Sequence, residues 1–372
     1  MRKLLPITIF SVLMAWLSHR HSEYDPINCK YKSKEKMFYT IMSICLILFA
    51  GLRILYNDTV TYMHAYRILL EDTEAFGEVD WSHLGSNPAF WYVQRLMVSM
   101  NFSDQTFIML FTIFVLGTYL WFFRKYSCNL WMTILLFIVY AGFTFALAAL
   151  KQCTAMALCL IATDRAINKK YLRFVLYVLL ASLFHPYALM YLVVPFLFFR
   201  PWSAYTLVMI AIFAVIGFGL ESMLGGLLNV TDMLGENYDA SAFMGEGVNP
   251  IRLLVTAIPS IVALLGAKQI AANKERDQYL MVNLTMLNAE IMFVGLFGTA
   301  NYFGRLANYF APFQALSLPW LLKHFDQNGK RTMTVFAAMG YGLFFIYSQS
   351  IYESFDLNFY SITLWEYLKS LF

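Results

Sequence analysis

Hydrophobic residues in this chain run in long, nearly unbroken stretches, not in the alternating or every-third-residue patterns of half-buried strands and surface helices. Such stretches fall near residues 4–18, 37–52, 105–123, 130–147, 152–166, 172–184, 187–199, 203–220, 251–267, 279–298, 304–322 and 332–349. They predict twelve helices, because in lipid only helices and closed barrels satisfy every backbone polar group. The pair meeting at His185-Pro186 is short, which predicts half-helices or re-entrant segments there.

Composition turns the pattern into a class. Of 372 residues, 60% are hydrophobic, 18% aromatic and 13% charged, against roughly a quarter charged in soluble domains. The expectation is one all-α, polytopic integral membrane domain over residues 1–372, with about twelve transmembrane helices. Residues 1–18 have the basic start and apolar middle of a signal peptide, but a basic segment from Arg20 to Lys36 follows with no small-residue cleavage site, so retention as an anchor is expected. Cys29, Cys45, Cys128, Cys153 and Cys159 are odd in number and lack metal-ligand spacing, which argues against a disulfide framework or a zinc site.

Charge supplies an orientation, since short loops rich in lysine and arginine stay in the cytoplasm. One set of alternate loops collects 18 of the 27 basic residues and 7 of the 23 carboxylates, so the two sides carry +11 and −7. Both termini and the two long acidic connections, residues 53–104 and 221–250, are then expected on the outer face. Loops of that length usually carry function.

Candidate chemistry gathers at the same face. Arg53, Asp58, Lys151, His185 and Arg305 stand near the outer boundary but come from separate segments. Cations at the edge of hydrocarbon are costly unless paired or open to water, so several together suggest an anionic group between them, such as a lipid-linked phosphate. For Arg53 and Arg305 taken singly, snorkelling to headgroups is the commoner fate.

Asp58, Tyr62 and Tyr66 recur every four residues and share one helical face. A carboxylate beside rings suits a sugar, although interfacial aromatics are common in any membrane protein. Trp81, His83 and Ser86 precede Asn87 and Pro88, which read as N-cap and first helical residue. Beyond them Phe90, Trp91, Leu96, Met97 and Met100 alternate with Gln94, Arg95 and Ser99, the pattern of an amphipathic interfacial helix.

Lys151-Gln152 lies between two apolar stretches with almost no loop. His185 sits where Pro186 breaks a helix; there an imidazole can take a proton from a sugar hydroxyl or serve as a hydrogen-bonded structural group. Glu290 is the one carboxylate inside an apolar stretch, either a proton-coupling group or a structural carboxyl facing Asn283 or Thr285.

Taken in order, Gly51-Leu52-Arg53 followed by Asp58 and Tyr62, Asn87-Pro88-Ala89-Phe90, Lys151-Gln152, Phe184-His185-Pro186, and Arg305-Leu306 with Tyr309-Phe310 make a recognisable series. It resembles the EpsG-like family of Wzy-type polysaccharide polymerases over roughly Phe38 to Leu322. Each motif is short, so order and spacing carry the resemblance. Two positions depart from the family pattern: Asn87 stands where glutamate is usual, and Lys151 where arginine is usual, keeping the charge but losing the bidentate fork.

The resemblance implies a polytopic α-helical fold, with a GT-C-like arrangement as one form of it, in the bacterial inner (cytoplasmic) membrane with the site facing the periplasm or outside. It implies transfer of a growing glycan from one undecaprenyl diphosphate carrier to the terminal sugar hydroxyl of a second lipid-linked repeat unit. Arg53, Lys151 and Arg305 would hold diphosphate, Tyr62, Gln152 and Tyr309 would line the substrate, and His185 or Asp58 would act as base. A flippase and a chain-length regulator are the protein partners such a role implies, and nucleic acid is not one.

The sequence has no Gly-rich phosphate loop, no Asp-x-Asp pair and no Cys/His cluster, so a mechanism without metal or cofactor is expected. The competing readings are a glycosyltransferase or ligase using a polyprenyl phosphate donor, and a lipid-linked oligosaccharide flippase. A flippase should show a charged central cavity and repeat symmetry between its halves.

Overall fold

The apolar stretches fold as helices, and their breaks fall where backbone chemistry demands them. The computed structural model describes residues 2–25, 30–33, 35–71, 87–235, 239–272, 275–351 and 355–371. Cys29, Lys34, Trp81, His83, Ser86 and Lys274 lie outside the described residues.

A hairpin of β1 (Glu23–Asp25) and β2 (Lys30–Ser33) joins α1 (Leu4–Arg20) to α2 (Met37–Gly51). Then come β3 (Arg53–Leu55), α3 (Thr59–Glu71), α4 (Pro88–Ser99), α5 (Asp104–Tyr126), α6 (Leu130–Val139), α7 (Gly142–Ala148), α8 (Leu150–Ile167) and α9 (Tyr171–Ser182). A 3-10 segment, Pro186–Phe196, leads to α10 (Ala204–Phe218), α11 (Leu220–Met233), α12 (Pro250–Leu265), α13 (Ala267–Ala272) and α14 (Arg276–Val294). The chain ends with α15 (Ala300–Asn308), α16 (Gln314–Leu322), α17 (Gln327–Ile351), α18 (Phe355–Asn358), β4 (Tyr360–Ser361) and α19 (Leu364–Lys369). β4 pairs antiparallel with β3, setting Ser361 opposite Arg53 and tying the C-terminal region to the second helix.

The fold is all-α, but the expected dozen spans are not present. Among the described residues one helix, α5, is long and apolar enough to cross a membrane, or up to three spans exist if the bent pairs α6–α7 and α10–α11 each count as one. The first pair bends by 55° beside Ala141, whose φ of 65° lies in the left-handed region, and the second by 93°.

Helices α1, α2, α9 and α12 have 17, 15, 12 and 16 residues, short of the ~20 that a span needs. α8 and α14 are longer but carry Lys151, Gln152, Asp164 and Arg165, and Asn283, Asn288 and Glu290, respectively. Both the polytopic twelve-span class and the multi-pass inner-membrane localisation with an outward-facing site are therefore corrected. The physical reason is that apolar composition does not guarantee uninterrupted helical length: turns, prolines and buried polar residues divide these stretches.

The two polar helices are the interior of the fold. α8 packs on α5 and α9, and α14 on α10, α12, α15 and α16, so each is surrounded by other helices. Several buried polar residues on them are paired internally, as burial requires. Asp164, 1% exposed, accepts from the Tyr126 hydroxyl at 2.7 Å and pairs with Lys125. Asn283 donates to the carbonyls of Leu197 and Phe199 at 2.8 and 2.7 Å.

Glu290 differs: it is buried, and neither carboxyl oxygen has a hydrogen-bond partner among the described residues. The expected partners are engaged elsewhere, Asn283 as above and Thr285 with Met281 and Ser317.

Candidate active site

Proline 186 positions the central group. It pushes its predecessor out of helical geometry, and His185 is accordingly extended (φ −158°, ψ 113°) between α9 and the 3-10 segment. Its ring turns toward the end of α15, where Nδ1 lies 2.8 Å from the hydroxyl of Tyr309. Tyr309 is fully buried, and its own carbonyl accepts from the Tyr191 hydroxyl at 2.8 Å. The rings of Tyr187 and Tyr309 flank the imidazole at centroid distances of 5.3 and 5.9 Å.

Burial, with Arg305 and then Lys151 adding to it, pushes the imidazole down to about 4. The ring is neutral at pH 7, and two cations lie within electrostatic reach.

Gln152 supplies the link between α8 and α15. It is buried, and its amide donates to the Arg305 carbonyl at 2.6 Å. Arg305 itself is exposed. One residue before Gln152, the Lys151 ammonium lies 5.3 Å from the centre of the Phe90 ring. Tyr62 meets the same ring edge-on at 5.8 Å, and its hydroxyl bonds to the backbone of Lys151. Burial pushes the Tyr62 phenol up to about 12; the nearby Asp58 adds to the shift and Arg305 opposes it.

Tyr62, Lys151, Gln152, His185, Arg305 and Tyr309 thus converge, with half-buried Asp58 beside Tyr62. Arg53 does not join them at the surface. It is 1% exposed, and its guanidinium donates to Thr59 Oγ1 at 3.1 Å, to the Ala50 carbonyl at 2.7 Å and to Thr112 Oγ1 at 2.8 Å. Burial lowers its pKa to about 10, which still leaves it charged at neutral pH.

Asn87 and Pro88 hold the N-cap and first helical positions of α4, but the asparagine side chain does not cap. The face of α4 turned inward carries Gln94 and Arg95 with Phe90 and Met97, while Leu96 and Met100 are exposed. Tertiary packing overrides the apolar stripe read from the sequence.

A cavity that mixes apolar walls with a few polar groups is absent from the sequence reading. Its volume is about 340 Å³, and Tyr56, Tyr140, Thr144, Arg252 and Asn308 are among the residues lining it. One signal existed: Arg252 stands in the first turn of α12, where the helix dipole disfavours a cation. Among the described residues no three of His, Cys, Asp and Glu stand together as a metal site would require.

The family model for EpsG matches residues 36–365, most of the chain. The chain belongs to the EpsG family. Membership is consistent with glycosyltransferase activity and links the chain to the machinery of lipid-linked polysaccharide biosynthesis. No curated protein and no solved structure matches it. The matched range includes every member of the His185 cluster, so the EpsG-family assignment and the geometry concern the same residues.

Proposed function

We propose that this EpsG-family chain elongates a glycan, moving it from one polyprenyl diphosphate carrier to the terminal sugar hydroxyl of another lipid-linked repeat unit. The observation that carries the reading is the neutral His185, oriented by Tyr309 and set near the two cations Lys151 and Arg305. Glycosyl transfer needs a base for the acceptor and positive charge for the leaving group, and this cluster contains both.

In the tautomer that carries the proton on Nδ1, Nδ1–H donates to the Tyr309 oxygen and Nε2 is the free acceptor on the ring, and this is the form proposed for the base. The acceptor hydroxyl gives its proton to Nε2 as its oxygen bonds the anomeric carbon. The bond from that carbon to the diphosphate oxygen breaks, and the electron pair leaves on the diphosphate beside Lys151 and Arg305. A bound diphosphate also neutralises the two cations that depress the imidazole, so His185 becomes more basic when the donor is in place. Gln152 holds the α15 backbone at Arg305, while Tyr62 and Asp58 form the wall for the acceptor sugar. Arg53 positions the segment leading to Asp58 through Thr59 and does not touch substrate.

An apolar groove supports a lipid carrier. Its volume is about 550 Å³, and Met190, Phe196, Leu287, Leu306 and Phe310 are among its lining residues. Leu306 and Phe310 directly follow Arg305 and Tyr309, so an isoprenoid chain in the groove would bring its diphosphate to those residues.

The test is incubation of the purified chain with a synthetic lipid diphosphate repeat unit. Longer lipid-linked glycans are expected, and His185→Gln and Arg305→Gln should each slow their formation by ~100-fold or more. Wild-type rates in both variants, or translocation of the lipid without elongation, would overturn the reading.

A further inference from the structure

We propose that the cavity beside Arg252 is a subsite for a sugar residue bearing an oxyanion, either a carboxylate or a phosphate. The proposal rests on the glycan-elongating reading above and extends it to a group outside the His185 cluster. α15 is the partition between the two sites. Its positions 305 and 309 serve the His185 side, and the adjoining row, 304 and 308, serves Arg252.

The guanidinium donates from Nη2 to Asn308 Oδ1 at 3.2 Å. A Cβ added at Gly304 would stand 3.4 Å from its Nη1, an ordinary contact distance, so the guanidinium lies against α15 at this position. Neither neighbour is a carboxylate, and among the described residues lining the cavity none is an aspartate or a glutamate. A cation whose cavity neighbours are neutral leaves the site with net positive charge.

The rest of the cavity fits a pyranose. Tyr56, Tyr119, Phe137 and Tyr140 offer ring faces, and Asn57, Thr144 and Asn308 offer hydrogen-bonding groups. The volume of about 340 Å³ is at the small end of the ~300–1,000 Å³ typical of ligand pockets, the size for one or two sugar residues.

The polar side of this cavity is held by a buried network. Thr256 Oγ1 donates to the Arg252 carbonyl at 2.7 Å and lies 2.5 Å from the Tyr140 hydroxyl. Gln314 ties the Thr256 carbonyl to Asn288 Oδ1 at 3.2 and 2.8 Å, and Tyr341 donates to Gln314 at 2.9 Å. Such a network keeps the Tyr140 hydroxyl and the α12 backbone in place before a ligand arrives, which reduces the ordering cost of binding, while the guanidinium itself is held by Asn308.

The cavity also shares a chain segment with the cluster. Tyr56 and Asn57 line it, and the next residue, Asp58, stands beside Tyr62. Asn57 makes the reversal with a left-handed φ of 47°, which asparagine tolerates better than most residues. The segment from Tyr56 to Tyr62 therefore borders both the cavity and the cluster.

Saturation-transfer NMR on the full-length chain tests this with methyl glycosides of glucuronic and galacturonic acid, their neutral hexose counterparts, glucose 1-phosphate and inorganic phosphate. At least one charged sugar should bind about tenfold or more tighter than its neutral counterpart. Arg252→Gln should abolish that preference, and Arg252→Lys should retain part of it. A stronger glycoside acid assigns the oxyanion to a sugar carboxylate; a stronger glucose 1-phosphate assigns it to a phosphate.

No binding by any probe, equal binding of charged and neutral sugars, a preference that survives Arg252→Gln, or inorganic phosphate binding as tightly as glucose 1-phosphate would overturn the proposal. Arg305→Gln should leave the preference intact. Absence of elongation by the wild-type chain with this preference present counts against the elongation reading alone, and elongation without the preference counts against the subsite alone.

Discussion

The hydroxyl of Tyr309 and Nδ1 of His185 stand 2.8 Å apart across 124 residues of sequence. This contact gives the imidazole an orientation that the helix break alone does not. A neutral histidine is useful as a base only when its free nitrogen points at the acceptor, and with Nδ1 engaged by Tyr309, Nε2 is the nitrogen left for substrate.

Replacing Tyr309 with Phe removes the hydroxyl and keeps the ring. Elongation should fall ~10–100-fold, the range for losing a group that orients a functional histidine, while stability should change by about 1 kcal/mol. Initial rates and a thermal melt of the same preparation check both. A wild-type rate would mean that the contact does not position the base.

His185 also predicts a pH dependence of stability. Its folded pKa of about 4 lies below the ordinary 6.5, so folding favours the neutral ring. The contribution is complete above pH 6.5 and is lost as pH falls toward 4, because the unfolded chain binds the proton first. The shift is worth about 3 kcal/mol. Chemical denaturation at several pH values should show a steeper loss of stability between pH 6.5 and 4 in the wild-type chain than in His185→Gln.

Arg53 makes a contrasting prediction because its guanidinium is spent on Ala50, Thr59 and Thr112. Arg53→Ala leaves buried oxygens without donors, so stability should drop by about 2–4 kcal/mol. Activity should fall in proportion to the folded fraction. A stable variant with normal folding and selectively lost donor binding would instead place the arginine on substrate.

Asp164 tests the polar core away from the site. It accepts from Tyr126 and pairs with Lys125, joining the ends of α5 and α8. Asp164→Ala should cost about 1–3 kcal/mol through the half-buried tyrosine hydroxyl that it leaves without its acceptor. The double variant Asp164→Ala with Tyr126→Phe should recover part of that loss. Fully additive losses would argue against coupling of the two groups.

Much of the architecture was legible along the chain. Each long apolar stretch is helical, and the break at His185-Pro186 follows from proline's local sterics. What the stretches did not reveal was their uninterrupted length. Ala141 adopts a left-handed conformation without being glycine or asparagine, so no residue type announces the bend between α6 and α7. α8 and α14 read as apolar overall, yet their polar residues bond inside the bundle; Gln152 reaches Arg305 and Asn283 reaches Leu197 and Phe199.

The candidate site was legible as residue types but not as an arrangement. Arg53 and Arg305 look equivalent in sequence, each at the end of an apolar stretch, but the first is sealed inside and the second is exposed. That difference depends on whether neighbouring helices supply acceptors, and Thr112 is 59 residues away from Arg53. Arg252 escaped notice for the same reason: its interest lies in Asn308, 56 residues away, and in the neutral described residues that line the cavity with it.

By itself the sequence determined the helical class, the break at His185-Pro186, and the ordered motifs that mark the EpsG family, because propensity, proline sterics and residue identity act locally. Tertiary structure alone decided how far helices continue, which cations turn inward, and that His185 meets Tyr309 while Arg252 meets Asn308. Those outcomes follow from packing between distant segments, where a side chain's environment is set by partners that local sequence does not name.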